Sequence, residues 1–203
     1  MPVFDASLMT LGIVAVLAYL VGSIPFGLVA AKMFGLPDPR TIGSKNIGAT
    51  NVLRTGSKGA AATTLLLDAA KGLVAVLVAR FAVGEDAAQI AALFAFLGHC
   101  YSVFLNFNGG KGVATFLGTV YALAFPVGIA ASIIWLLVCA STRYSSLSAL
   151  VAAFLTPVAS ALFGAPDMYV VLSIMAFLLA WRHRENIKRL LAGTEAKVGA
   201  KSG

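Results

Sequence analysis

The chain has 203 residues, of which 60% are hydrophobic and only 11% charged, where a soluble domain carries roughly a quarter of its residues as charges to cover its surface. That balance excludes a soluble globular domain, a disordered chain and a disulfide-stapled secreted module. The net charge of +7 reflects scarce acids as much as abundant bases, so its meaning rests on which loops hold the bases.

Uncharged runs predict an all-α integral membrane protein, a single embedded domain with spans over 7–31, 60–83, 87–106, 112–125, 127–142, 145–163 and 168–183 and a disordered tail over 192–203. No Lys or Arg precedes the first run, and it is too long for the apolar part of a cleaved signal, so it is expected to stay as an anchor. Cytoplasmic loops collect Lys and Arg, which places Lys32, Arg40, Lys45, Arg54 and Lys58 inside. The second span carries Asp68, Lys71 and Arg80, and Glu85 with Asp86 then mark an outside link. Cys100 and Cys139 lie in apolar runs without metal-ligand spacing and read as small core residues. The uncharged run 112–142 is long for one crossing at 1.5 Å per residue and has a base at each end, Lys111 and Arg143. It is expected to go out and return, turning near Pro126 and Gly128; a re-entrant segment, leaving five spans, is the alternative. Asp167 marks the last outside link, and Trp181 beside Arg182 fits an interfacial anchor. The outcome is seven spans, with the N-terminus outside and the C-terminus cytoplasmic. Every base except Lys71 and Arg80 then lies on the cytoplasmic side.

Three polar segments interrupt the apolar chain on that side. In Gly43-Ser44-Lys45-Asn46-Ile47-Gly48-Ala49-Thr50-Asn51-Val52-Leu53-Arg54, small residues admit a ligand to the backbone. Ser44, Asn46, Thr50 and Asn51 offer neutral donors there, and Arg54 a planar fork suited to phosphate. An ordinary capped loop would use the same residue types. Gly109-Gly110-Lys111-Gly112-Val113-Ala114-Thr115 combines exposed backbone amides, a charge and a helix N-terminus. It is no nucleotide P-loop, since Leu105 stands where the first glycine would be and Gly112 follows Lys111 in place of Ser or Thr. His183-Arg184-Glu185-Asn186-Ile187-Lys188-Arg189 puts His183 and Asn186 on one helix face, while Arg184, Lys188 and Arg189 suit a topogenic role. Asp68 and Lys71, also three apart, read as a paired intramembrane couple that supports the site. His99 and Ser146 are weaker candidates.

Ser44-x-Asn46-x-Gly48-Ala49-Thr50-Asn51-x-x-Arg54, Asp68-x-x-Lys71-Gly72, Gly98-His99 running to Phe107-x-Gly109-Gly110-Lys111-Gly112-Val113-Ala114-Thr115, and His183-x-x-Asn186-Ile187 stand in the order of a known family. Over about 19–191 the chain resembles the bacterial acyl-phosphate-dependent glycerol-3-phosphate acyltransferases, integral membrane enzymes of phospholipid synthesis. It departs from them at Lys45, where the family usually has Gly, and at Asn108, where it usually has a base. The resemblance implies a seven-helix fold in the bacterial inner membrane with its site at the cytoplasmic face. It also implies that the 1-hydroxyl of glycerol 3-phosphate attacks an acyl phosphate, giving lysophosphatidic acid and phosphate. Besides these substrates only membrane lipids are expected as partners, with no nucleic acid, no metal and no cofactor, and a monomer would suffice.

Each phosphate carries about −1.5 to −2 charges, so Arg54, Lys111 and Lys45 are expected to offset their repulsion, with Asn46, Thr50, Asn51, Gly109, Gly110 and Gly112 completing the phosphate sites. Ser44, Lys111, His183 and Asn186 are the expected catalytic set, with Lys45, Asp68, Lys71 and Ser146 supporting. His183 is the natural base by residue type, although cationic neighbours weaken it. The resemblance points instead to a substrate phosphate oxygen that takes the proton while Ser44, His183 and Asn186 position the groups. No His-x-x-x-x-Asp motif starts at His99 or His183, which argues against acyl-CoA as donor. A transporter of phosphorylated small molecules is the alternative, although no two related halves are visible; a membrane scaffold would leave the motifs without a purpose.

Overall fold

A computed structural model describes residues 5–199, and all its regular structure is helical. Helix α1 (Leu8–Ser23) is capped by Ser7, whose hydroxyl accepts from Thr10 N–H. The expected first span over 7–31 is not continuous: the chain breaks at Ile24 and Pro25 before α2 (Phe26–Met33). Proline lacks an N–H and obstructs the preceding turn, so carbonyls lose their helical donors there. Lys71 Nζ takes the Ile24 carbonyl at 2.8 Å and Ser102 Oγ the Ser23 carbonyl at 2.6 Å.

A short helix α3 (Ala49–Val52) carries part of the first polar segment, and Ser57 then caps α4 (Lys58–Ala82). Helix α5 (Glu85–Cys100) starts with two acids, favourable at a helix N-terminus. It stops short of the expected 106, passing into a 3-10 turn at Val103–Leu105 and the left-handed residues Asn106 and Phe107. The 112–142 run divides at Ala124 into α6 (Val113–Leu123) and α7 (Phe125–Thr142). The division precedes the expected turn at Pro126 because a proline is tolerated in the first turn of a helix. Helices α8 (Ser145–Leu162) and α9 (Tyr169–Arg182) follow, and the chain bends at His183 into the amphipathic α10 (Arg184–Leu191), a separate helix beyond the expected last span.

Among the described residues, five segments are long and apolar enough to cross a membrane: Leu8–Met33, Lys58–Ala82, Glu85–Leu105, Phe125–Thr142 and Ser145–Leu162. The 11 residues of α6 and 14 of α9 rise only about 16 and 21 Å, against a hydrocarbon core of about 30 Å. Packing is that of a membrane bundle, in which small residues inside let backbones approach while large apolar ones face outward. Ala87, Ala91 and Ala95 of α5 are wholly buried beside Leu11 and Ala18 of α1, while Leu8, Phe81 and Leu162 are exposed. A Cβ at Gly22 would collide with the Ala95 carbonyl, and one at Gly98 with the Tyr19 carbonyl. The α1–α5 contact therefore requires glycine on both sides.

The two ends of the bundle differ. At one, Arg80 pairs with Glu85 at 2.7 Å and caps the Ala122 and Leu123 carbonyls, while Asp86 accepts from the backbone of Asp5 and Ala6. At the other, Thr50 meets Ser145, Lys111 meets Asn186, and Val198 N–H donates to the Arg143 carbonyl. All three polar segments gather there, with Lys111 and Arg143 bracketing the α6–α7 hairpin. The tail expected to be disordered over 192–203 lies back across this end through residue 199, held by Glu195 and Val198. A buried acceptor for Ser146 and Asn186 overrides the loose composition of that stretch, and 200–203 fall outside the described residues.

Candidate active site

The first polar loop is organised by a side chain that points inward. Asn51 is 1% exposed, and its Nδ2 donates to the carbonyls of Pro39, Ile42 and Asn46 while its Oδ1 accepts from Ser44 N–H at 2.9 Å. Its polar capacity is spent on the loop, so it shapes that loop from behind. Asn46 Oδ1 accepts from Gly48 N–H at 2.9 Å. This folding holds Ser44 and Asn46 at the surface of a cleft of about 270 Å³, together with Lys111, Arg182, Arg184, Glu185, Asn186 and Arg189. Lys45 is exposed, has a left-handed φ of 55° and is not part of the cleft lining. Arg54 packs against Gly43, with Nη1 3.5 Å from Asn51 Oδ1. Thr50 is exposed, its hydroxyl 3.2 Å from that of Ser145.

The glycine loop supplies the central charge. Lys111 Nζ donates to Asn186 Oδ1 at 2.6 Å, joining the second segment to the third. Gly109 and Gly110 form the turn beneath it, where Gly110 N–H donates to the His99 carbonyl at 3.0 Å, and Gly112 takes φ 83° as α6 begins. Burial lowers the Lys111 ammonium to about 8; the carboxylate of Glu195 opposes this, and the charges of Arg189, Arg54 and Arg182 add to it.

His183 sits at the bend beyond α9, 2% exposed, with Nδ1 2.8 Å from the Leu179 carbonyl. A neutral ring then carries its proton on Nδ1 and keeps Nε2 as an acceptor. Burial, with Lys111 nearby, brings its pKa down to about 4. Asn186 and Ser146 both donate to Glu195 Oε1, at 2.6 and 2.7 Å, and Arg189 Nε donates to Oε2 at 2.7 Å. Burial pushes Glu195 up, yet these hydrogen bonds outweigh it and hold the carboxyl below the usual range. The one local signal for Glu195 in the sequence is its isolation as an acid in a basic tail. Arg182, whose place beside Trp181 suits a topogenic base, lines the cleft.

Asp68 and Lys71 do not line the cleft; they form an ion pair of 2.7 Å one layer beneath, each side chain 2% exposed. His99 Nδ1 lies 3.4 Å from the same Asp68 oxygen, and Thr115 Oγ1 donates to the Asp68 carbonyl. The layer ties α4 to α5, to the start of α6 and, through Lys71 and Ile24, to the α1–α2 break.

A family model described as glycerol-3-phosphate acyltransferase matches residues 12–193. A glycerol-3-phosphate acyltransferase of Dinoroseobacter shibae is 59% identical over 191 residues, 94% of each chain, and one from Jannaschia sp. is 56% identical over 201 residues, 99% of each. Among solved structures, the chain is similar to PlsY (YgiH), an integral membrane glycerol 3-phosphate acyltransferase, in its glycerol 3-phosphate form. The TM-score is 0.87 at 38% identity, over 93% of this chain and 96% of that one. The lysophosphatidic acid form of PlsY gives a TM-score of 0.86 at 37% identity, over 92% and 94%.

Proposed function

The chain belongs to the glycerol-3-phosphate acyltransferase family, and from that premise we propose that it transfers the acyl group of an acyl phosphate to the 1-hydroxyl of glycerol 3-phosphate. The products are lysophosphatidic acid and inorganic phosphate, and the reaction is a first acylation in phospholipid synthesis. One observation carries this reading: a single small cleft collects Lys111, Arg184 and Arg189 with the neutral donors of Ser44, Asn46 and Asn186. Two anions meeting at a membrane face need that combination, because cations offset their repulsion while neutral donors orient them.

The hydroxyl oxygen attacks the carbonyl carbon, the bond from that carbon to the phosphate oxygen breaks, and phosphate leaves as an anion that needs little protonation. Lys111 bears on the charge that moves onto the leaving phosphate. Arg54 and the glycine loop hold the remaining phosphate charge. His183 is a feeble base with its pKa near 4, so its Nε2 orients the hydroxyl and a substrate phosphate oxygen takes the proton. Asn186 and Ser44 position the reacting groups. Asp68, Lys71 and Ser146 support the assembly from behind, with Lys45 adding a charge outside the cleft lining.

The proposed setting is the bacterial inner membrane, crossed seven times, with the N-terminus outside and the site at the cytoplasmic face. Lys111 and Arg143 at the same end of the bundle support an out-and-back path for α6 and α7. Purified protein given glycerol 3-phosphate and either acyl phosphate or acyl-CoA, followed for phosphate and lysophosphatidic acid, tests the function. Turnover is expected from acyl phosphate alone, and product from acyl-CoA alone would overturn the donor assignment. His183→Asn is expected to keep appreciable turnover; a loss of kcat on the order of many thousandfold with unchanged KM would restore His183 as the base.

A further inference from the structure

Arg182 ends α9 at a position where a base ordinarily fixes topology and meets lipid head groups. Its guanidinium is committed elsewhere. Nη2 donates to the Gly109 carbonyl at 2.8 Å and Nε to the Gly110 carbonyl at 3.0 Å. The group also lies over the Tyr101 ring, 5.0 Å from its centroid. The carbonyl of Tyr101 accepts from the Tyr19 hydroxyl at 2.6 Å, which ties this platform to α1.

Peptide geometry turns these contacts into orientation. In a trans peptide the C=O and N–H point in opposite directions. The peptide between Gly109 and Gly110 is therefore gripped from both sides, its carbonyl by Arg182 and its N–H by the His99 carbonyl at 3.0 Å. The carbonyl of the next peptide is also on Arg182, so the Lys111 N–H is turned away from the guanidinium. Bulk is refused on the His99 side, where a Cβ on Gly110 would strike the imidazole and one on Gly109 the carbonyl. Two adjacent glycines have the freest backbone available, and here that freedom is removed from both sides directly before Lys111. A planar fork with fixed donors can hold two successive carbonyls, whereas an ammonium is a point donor.

We propose that Arg182 is a positioning residue for acyl transfer, whose grip on the Gly109 and Gly110 carbonyls sets the backbone from which Lys111 meets substrate phosphate. This rests on the acyl-phosphate function above. It also couples the third segment to the second, since Arg182 directly precedes His183 and moves with it.

The test compares wild type with Arg182→Ala and Arg182→Lys, reading backbone hydrogen exchange across 109–115 together with kcat and KM for both substrates. Exchange is expected to accelerate in that loop, and kcat to fall by about a hundredfold, the scale of a misplacement of about 1 Å. Both KM values should change less than kcat. Millimolar ethylguanidinium should restore protection and turnover to Arg182→Ala, and ethylammonium should not. If the alanine protein does not fold, Arg182→Lys carries the test, because it keeps the charge but cannot span two carbonyls. Wild-type exchange across 109–115 in the folded variants overturns the proposal. So does a raised KM for one substrate alone with kcat intact, since the guanidinium would then be touching that substrate. A wild-type protein without turnover refutes the acyl-phosphate function, and loop exchange then decides the role of Arg182 by itself.

Discussion

Lys111 is charged below about pH 8 and loses its proton as pH rises through that value. Its positive charge is what the proposed phosphate sites need, so kcat/KM should fall along an alkaline limb centred near 8. A bound dianion favours the ammonium, so the same limb in kcat should lie higher. A pH–rate profile checks this, and a kcat/KM flat to well above pH 9 would contradict it. His183, at about 4, is already neutral from pH 5 upward and adds no limb there; an acid limb near 6 would belong to the substrate phosphates themselves. Glu195→Ala leaves Ser146, Asn186 and Arg189 without their shared acceptor. It should lower stability by about 1–2 kcal/mol and raise KM by freeing Asn186, read as a lower Tm alongside steady-state kinetics. Lys45 shows how a sequence departure acquires a physical meaning, since its left-handed φ of 55° suits the glycine that the family usually carries. Lys45→Gly should raise Tm slightly and leave both KM values within about twofold, because an exposed charge outside the cleft lining contributes little.

Among the elements, α4 is the one that binds the others through charge inside the bundle. The i,i+3 spacing of Asp68 and Lys71 made their pairing legible from the sequence. The partners beyond that helix, His99 and the Ile24 carbonyl freed by the Pro25 break, lie too far along the chain for any local pattern to reveal. Lys71→Met strips the partner from a buried carboxylate and should cost about 3–5 kcal/mol. Adding Asp68→Asn should return part of that loss, because a neutral amide no longer needs the ammonium. Thermal unfolding of the two variants in detergent decides it, and equal stabilities would deny the pair its role.

For the whole molecule, the proposed topology predicts labelling. With Cys100 and Cys139 replaced by Ser, single cysteines at Glu85 and Asp167, both exposed, should react with an impermeant thiol reagent from outside intact cells. Cysteines at Lys45, Arg143 and Lys197 should react only after permeabilisation. Outside labelling at 143 would break the α6–α7 hairpin assignment and favour another count of crossings. The sequence by itself determined that this chain lives in a membrane and that its polar motifs share one end. Hydropathy, proline positions and the distribution of bases are local properties that survive without a fold. Only the tertiary structure decided which motif residues meet in the cleft: Asn51 turned inward to build its own loop, Arg182 was recruited onto the glycine turn, and Glu195 returned with the tail to hold Ser146 and Asn186. Each of these depends on a buried donor or acceptor finding its partner across helices, a requirement set by packing that no stretch of sequence states on its own.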